Sequence, residues 1–334
     1  MNPLVSILIP AKNESRFIEE CLLSIQTQTY KYWEVIVVDD HSTDETAELV
    51  AQFSKNDERI RMLKNRGEGI IRALQMAYIS AKGDFITRMD ADDRMRSHKL
   101  ETLVNSLHEN GRGFVAVGGV HYFAEEELKS GYKNYQNWLN DHTVKGSNFT
   151  DIFKECAIPS PCWMLHKADL DKIGAFDSNY YPEDYDLAFR MYQHGFQVVP
   201  CTEILHDWRD YSTRTSRTSD HYKEYTFTAI KWRYFNKLHR DNSKKLVLMG
   251  TGYRGKKLAT LLIENNISFA WISNNSEKIG KHIYDQLILD FNAPIQWENT
   301  QSILTIVNAK GKEAIAGFLE PFGLKRNVDF FHFC

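Results

Sequence analysis

The sequence predicts an α/β chain built on a mostly parallel sheet with helices on both faces, followed by a second, smaller α/β unit. Three observations lead there. Short β-branched runs, LVSILI at 4–9 and EVIVV at 34–38, each end in polar residues, as buried parallel strands do. Stretches with apolar residues at helical spacing alternate with these runs, which is the βαβ signature. Finally, 334 residues exceed the roughly 100–200 that one ordinary core organises, and a new strand, glycine turn and helix begin near residue 244.

The elements follow in order. Phe17, Ile18, Cys21, Leu22 and Ile25 fall at helical spacing across 15–28, with Ser15 placed to cap the helix. A helix over 43–54 follows, with Ser42 or Thr43 as its cap and Asp44 in its first turn. Next come a strand at 60–63, a helix over 68–81 closed by Gly83, a strand at 85–89 and a helix starting near Ser97. In the second unit, 246–262 reads as strand, glycine turn and helix, and 269–273 and 303–307 as further strands. The expected organisation is a first domain over 1–219, a basic aromatic linker helix over 220–243 and an α/β domain over 244–334. No internal repeat or low-complexity tract interrupts this plan.

Composition excludes several classes. Lys plus Arg is 41 against 44 for Asp plus Glu, a net charge of -3, which is no nucleic-acid binder's balance. With 43% hydrophobic and 25% charged residues the chain is globular. No stretch reaches the ~20 apolar residues a membrane helix needs. Residues 1–10 lack the basic start of a signal peptide. Five cysteines without a CxxC pair predict neither a disulfide framework nor structural zinc, and suit a cytoplasmic setting.

Ligands on parallel α/β sheets bind beyond the carboxyl ends of the strands, and the polar clusters sit there: residues 10–14, 39–44 and 90–93. Asp90, Asp92 and Asp93 crowd three carboxylates into four residues. Their mutual repulsion is relieved by a cation, and hard oxygen donors suit Mg²⁺ or Mn²⁺. A plain helix cap is the competing reading. Asp39 and Asp40 are not needed for capping and could accept hydrogen bonds from a nucleobase or ribose. Arg88 either faces a phosphate or pairs with a carboxylate. Arg209, Arg214 and Arg217, with Ser212 and Ser216 between them, form either a basic loop closing over a diphosphate or a solvated loop.

Taken together, PAKNE (10–14), VVDDHSTDET (37–46), GIIRAL (69–74) and GDFITRMDADD (83–93) resemble the family 2 glycosyltransferases of the GT-A fold. So do PCWMLHKADLDKIGAFD (161–177) and PEDYDLAFRM (182–191), and the likeness spans roughly residues 3–215 in the right order. The resemblance implies inverting transfer of a sugar from a nucleotide-diphosphate donor, usually with a divalent cation. It implies a UDP-sugar donor and a glycan or lipid-linked acceptor in surface polysaccharide synthesis. By the same resemblance Asp39 contacts the base and Asp40 lies towards the ribose. Pro10, Asn13, Glu14, Gly69, Arg72 and Arg209 line the donor site, and Asp90 touches both donor and metal. Asp92 is a metal ligand, and Asp184, with Glu183 beside it, is the general base. Gln75 stands where many relatives have Asn. Tyr211 stands where the family often has His, which leaves His206 as a substitute third ligand. Inverting transfer needs a carboxylate opposite the leaving group and positive charge beside the departing diphosphate, so one base and one cation cluster are the minimum set. The Glu183-Asp184 pair also suits a plain helix start after Pro182, with Leu187, Phe189 and Met191 buried.

Gly250, Gly252 and Gly255 fit GxGxxG after a strand, but Ser273-Asn274-Asn275 stands where a dinucleotide site wants an acid. The segment resembles the Rossmann-like domain of sugar O-acyltransferases. It serves packing or homo-oligomer formation, ligand binding or, least in keeping with the residues, a second activity. Residues 231–245 interleave Lys231, Arg233 and Lys237 with Trp232, Tyr234 and Phe235, for packing or for peripheral contact with the inner membrane face. Two other functions remain open at this stage. A nucleotidyltransferase also uses strand-end carboxylates and a cation, but wants a glycine-rich basic loop that residues 10–14 lack. A non-catalytic nucleotide-sugar sensor would keep its response in Asp184→Asn, whereas an enzyme would lose turnover.

Overall fold

The first apolar run forms β1 (Val5–Ala11), in which every residue except Pro10 is buried. The structure, a computed structural model, describes residues 2–125 and 127–334. Its contacts divide the chain into two units, Met1–Phe149 with Ala157–Thr218, and Thr150–Cys156 with Ser219–Cys334.

In the first unit β1 leads through α1 (Ile18–Gln26) to β2 (Trp33–Asp39), then α2 (Thr46–Asn56), β3 (Ile60–Lys64), α3 (Ile70–Ile79) and β4 (Phe85–Arg88). After these come β5 (Arg94–Met95), α4 (Lys99–Asn110), β6 (Phe114–Val117), β7 (Gly119–Ala124), α5 (Ser130–Lys145), β8 (Trp163–His166) and α6 (Lys167–Lys172). The unit closes with α7 (Glu183–Gln193), β9 (Gln197–Val199), β10 (Ile204–Asp210) and α8 (Thr215–Thr218). The main sheet runs β3-β2-β1-β4-β8-β6-β9, parallel from β3 to β4, with β8 antiparallel to both of its neighbours. A second sheet, β5-β10-β7, lies beyond the end of β4. The buried apolar side chains of β1 and β2 belong to one core with Ile18, Leu22 and Ile25 of α1 and Leu103 and Leu107 of α4, which fixes the register of the parallel strands.

The expected caps are not the ones used. Phe17, Glu45 and His98 precede α1, α2 and α4, and none has a side-chain cap bond. The Ser15 amide donates to Asp44 Oδ2 at 3.0 Å, the Asn13 amide to Ser42 Oγ at 2.9 Å, and the Thr43 amide to Asn13 Oδ1 at 2.8 Å. The capping residues instead stitch the loops after β1 and β2 together, because two strand-end loops side by side offer each other better partners than either offers its own helix.

The second unit contains α9 (Glu224–Leu238), β11 (Lys245–Met249), α10 (Tyr253–Glu264), β12 (Ala270–Ile272), β13 (His282–Ile283), β14 (Gln286–Leu289), β15 (Thr300–Leu304), α11 (Ala309–Leu319) and β16 (Phe330–His332). Its sheet runs β13-β14-β12-β11-β15-β16, parallel except for the β13–β14 hairpin. Helix α9 is part of this unit. Phe235 packs on Phe331 and Phe333, while Phe153, from the seven-residue segment this unit borrows, stacks on Phe333 at 5.6 Å. Lys231 is buried and donates to the Lys154 and Phe333 carbonyls at 2.7 and 3.1 Å. Trp232, Tyr234 and Phe235 are buried as well, so the aromatic face that a membrane contact would use is already covered.

The glycine turn after β11 is tight. A Cβ on Gly255 would meet the Gly250 carbonyl oxygen at 2.1 Å, and Gly250 has φ +110°. Trp271 Nε1 donates to that same carbonyl at 2.9 Å. These two glycines serve helix–strand packing, whereas a Cβ on Gly252 would meet nothing within 4 Å. Gly255→Ala is therefore expected to destabilise the second unit by about 2 kcal/mol. The check is a urea melt followed by fluorescence; an unchanged midpoint would contradict this packing.

Candidate active site

The site grows from the carboxyl ends of β1, β2 and β4 and from the start of α7. Beyond β4 the chain turns sharply through residues 90–93. Asp90, Asp92 and Asp93 there place one ligand oxygen each within 4.8 Å of one another. The turn is buried, so its charge needs neutralising from close by. Arg88 Nε and Nη2 donate to Asp90 Oδ1 at 3.0 and 2.9 Å. Arg214 is buried too, with Nη2 at 3.5 Å from Asp90 Oδ2 and Nε at 3.3 Å from Asp92 Oδ2. Burial raises the Asp90 carboxyl, but Arg88 and Arg214 outweigh it and leave the group below its ordinary value. For Asp92, burial and the neighbouring Asp93 and Asp90 overcome Arg214 and push the carboxyl up to about 7. Asp93 rises to about 8, through burial and Asp90.

The three aspartates are not equivalent. Asp93 points into the protein: Oδ1 accepts the Arg209 amide at 2.7 Å and Oδ2 pairs with His206 Nε2 at 2.9 Å. His206 is fully buried, and Lys99 Nζ lies 3.1 Å from its Nδ1. Burial and Lys99 hold the imidazole well below its usual range, so it is neutral. With both ring nitrogens engaged, His206 has no lone pair for a cation, which corrects its reading as a third ligand. It buttresses Asp93 instead. Arg209 is likewise committed: Nε donates to the Asp92 carbonyl at 2.7 Å, Nη2 pairs with Glu20, and the guanidinium lies over Phe17 and Phe123. It shapes the acidic turn from behind and does not serve as a donor-binding arm. Arg217 pairs with Asp210 and Tyr132.

On the nucleotide side Asp39 and Asp40 are both buried at the end of β2. Asp40 accepts Asn65 Nδ2 at 2.6 Å and, through both oxygens, the Gly69 amide at 3.0 Å, with Lys12 Nζ at 3.6 Å. Its carboxylate is thus spent on the start of α3, not left towards a ribose. Gly69 has φ +88°, a conformation that suits glycine at this turn. Asp39 Oδ1 accepts the Ser42 amide at 3.3 Å. Arg72 is exposed and donates to Gln75 Oε1 at 2.8 Å, while Gln75 Nε2 donates to the Phe176 carbonyl at 2.9 Å. Glu14 lies at the acidic turn: Tyr211 Oη is 3.4 Å from Oε1, and burial with the nearby Asp92 pushes its carboxyl up to about 8.

Across from the turn, α7 starts at Glu183 after Pro182, with Tyr185, Leu187, Phe189 and Met191 buried beneath it. Glu183 is buried and its Oε1 accepts Arg88 Nη1 at 2.8 Å. Asp184 Oδ1 accepts the Tyr185 amide at 2.7 Å. Burial and the adjacent Glu183 push Asp184 up to about 7, against the pull of Arg88. One guanidinium therefore touches both the acidic turn and the carboxylate pair, which makes the two groups neighbours. Of the supporting residues, Lys99, Asn65 and Glu20 carry no sequence signal beyond polar residues next to an apolar stretch. Asp90 and Asp92 offer hard carboxylate oxygens suited to Mg²⁺ or Mn²⁺, and a cation there would relieve the repulsion that raises Asp92.

A mostly parallel sheet with an acidic turn at its carboxyl edge and a second carboxylate pair facing it is the GT-A arrangement of nucleotide-sugar transferases. Residues 6–174 match the family model "Glycosyl transferase family 2", and the chain belongs to that family of glycosyltransferases. The glycosyltransferase GlyG of Streptococcus pneumoniae is 35% identical over 229 residues, 65% of this chain and 74% of GlyG. The putative teichuronic acid biosynthesis glycosyltransferase TuaG of Bacillus subtilis is 34% identical, over 71% of this chain and 90% of TuaG. The match to the S. pneumoniae glycosyltransferase GlyA covers only 30% of that protein. Two solved structures share the fold. S. aureus TarS in complex with UDP-GlcNAc has a TM-score of 0.55 at 16% identity, covering 78% of this chain and 71% of its own. The mannosyltransferase PcManGT of Pyrobaculum calidifontis, in complex with GDP-Man and Mn²⁺, has a TM-score of 0.52 at 19% identity, over 77% and 68%.

The raised carboxyls fix the sign of a pH effect. Asp92, Asp93, Asp184 and Glu14 keep in the folded state protons that the unfolded chain gives up near its ordinary carboxyl values of 3.8 and 4.5. Their contribution to stability is complete below those values and is lost as pH rises through about 7 to about 8. Thermal melts in EDTA are expected to show Tm falling between pH 5 and pH 8 (about the two ends of that window). A rising or flat Tm would contradict the burial of uncompensated carboxyls.

Proposed function

We propose that this chain transfers a sugar, with inversion, from a nucleotide-diphosphate donor, a UDP-sugar, to a hydroxyl of a glycan or lipid-linked acceptor in surface polysaccharide synthesis. The observation that carries this reading is the Arg88 bridge, which joins a cation-suited acidic turn to a carboxylate pair. The name of TuaG supports the choice of pathway, and the nucleotide sugars bound by TarS and PcManGT support a nucleotide-diphosphate donor. Among the described residues no helix is long and apolar enough to cross a membrane.

In this reaction the acceptor oxygen forms a bond to the anomeric carbon while the bond from that carbon to the diphosphate oxygen breaks. The electron pair leaves on the diphosphate. Asp184 takes the acceptor proton, and attack on the face opposite the leaving group inverts the centre. The start of a helix favours ionised Asp184, and Arg88 holds the Glu183 charge beside it in check. Asp90 and Asp92 would hold the cation, which when bound neutralises charge on the departing diphosphate. Arg214, now paired with those carboxylates, is placed to turn towards the same phosphates. Asp39 and the stitched loops after β1 and β2 line the nucleotide end. A nucleotidyltransferase is disfavoured by the family to which the chain belongs. A sensor is disfavoured by the second carboxylate pair, which donor binding alone does not need.

Because Asp184 must be ionised to accept a proton, turnover is expected to rise with pH through about 7. Asp184→Asn is expected to lower turnover by about 10²–10⁴-fold while leaving Mn²⁺-dependent UDP binding in place. Product release from a panel of UDP-sugars, with calorimetry of UDP binding, checks both. Turnover that survives the substitution would overturn the assignment of the base, and a loss of UDP binding with turnover would move Asp184 to the donor site.

A further inference from the structure

Arg88 is the last residue of β4, buried to the same degree as the carboxylate it reaches on α7: each side chain is 6% exposed. Its two sides do different things. Nε and Nη2 form a fork on Asp90 Oδ1, at 3.0 and 2.9 Å, while Nη1 reaches Glu183 Oε1 at 2.8 Å. Asp90 and Glu183 are far apart in the sequence and meet on this one side chain. A planar guanidinium with fixed N–H directions holds both at a defined mutual angle, which an ammonium on a flexible stem does not.

We infer that Arg88 is a positioning residue for the transfer reaction, a rigid bracket that fixes the first turn of α7, and with it Asp184, against the acidic turn. The inference rests on the reading of Asp184 as the base. Asp184 has Glu183 on its own helix and Arg88 and Asp90 facing it from β4 and the turn beyond, with the Tyr185 amide on Oδ1. If Arg88 lets go, Glu183 loses this positive charge while it stays beside Asp184. The base then holds its proton more tightly, and the helix start loses its anchor. A residue that only fills space would leave Asp184's ionisation where it is.

The test follows the Asp184 carboxyl by NMR in the full chain labelled with ¹³C-carboxyl aspartate, in saturating Mg²⁺, with the resonance assigned by its loss in Asp184→Asn. Arg88→Gln is expected to move the Asp184 midpoint upward by about one pH unit, the size of effect a lost opposite charge at this range gives. Glu183→Gln is expected to move it downward. Arg88→Lys keeps the charge but not the fork and is expected to fall between wild type and Arg88→Gln. Should Arg88→Gln not fold, the Lys and Glu183→Gln variants still decide, because their shifts have opposite signs. A midpoint that stays within 0.2 or so of wild type in the folded variants would overturn the inference. That result is separate from the failure of the base itself, which Asp184→Asn reports through turnover.

Discussion

Everything in the first unit is organised around negative charge packed into the turn after β4. Three carboxylates in four residues are held where water cannot reach most of them, and buried charge of one sign is tolerated only when opposite charge meets it with good geometry. The surrounding elements supply that charge. Arg88 comes from the strand that carries the turn and Arg214 from the segment after β10, while the Arg209 amide and the uncharged His206 of β10 add hydrogen bonds to Asp93. The small sheet β5-β10-β7 is the scaffold for this second set, since β10 runs beside the turn and brings its backbone and side chains to Asp93. Neutralisation is incomplete, as the raised Asp92 and Asp93 carboxyls record, and it is this deficit that a cation would fill.

The same arithmetic divides the aspartates by role. Asp93 is saturated from inside the protein, so it holds the turn's shape. Asp90 and Asp92 are met by arginine side chains instead, Arg88 and Arg214 on Asp90 and Arg214 on Asp92. Asp40 shows the same division on the nucleotide side, since its oxygens are taken by Asn65 and Gly69, which leaves Asp39 beside it as the residue closer to free.

Much of this was legible in the sequence, and the exceptions share one cause. Strands and helices were readable because β-branched runs and helical spacing repeat over several residues. The clusters that hold Asp90, Asp92, Glu183 and Asp184 stand out in the sequence as carboxylates at strand and helix ends, and the structure joins them through Arg88. Roles that depend on what lies opposite were not readable. Ser15, Ser42 and Thr43 have the right chemistry for caps but are drawn into bonds between loops. Arg209 and His206 have the right chemistry for a donor or metal site but are buried behind the turn. Lys99, a buried amine under that turn, reads as one more helix lysine. Residues 150–156 carry no periodicity, so nothing local places Phe153 among Phe235, Phe331 and Phe333.

The central claim is that the turn after β4 seats a cation and a diphosphate in front of Asp184. Crystals grown with Mn²⁺ and UDP, with diffraction recorded at the manganese edge, test it most directly. The account predicts an anomalous peak against the Asp90 and Asp92 carboxylates, with the UDP phosphates beside it and Asp184 across the same cleft. A peak elsewhere, or UDP bound with Arg214 still lodged between those carboxylates and no manganese, would contradict it.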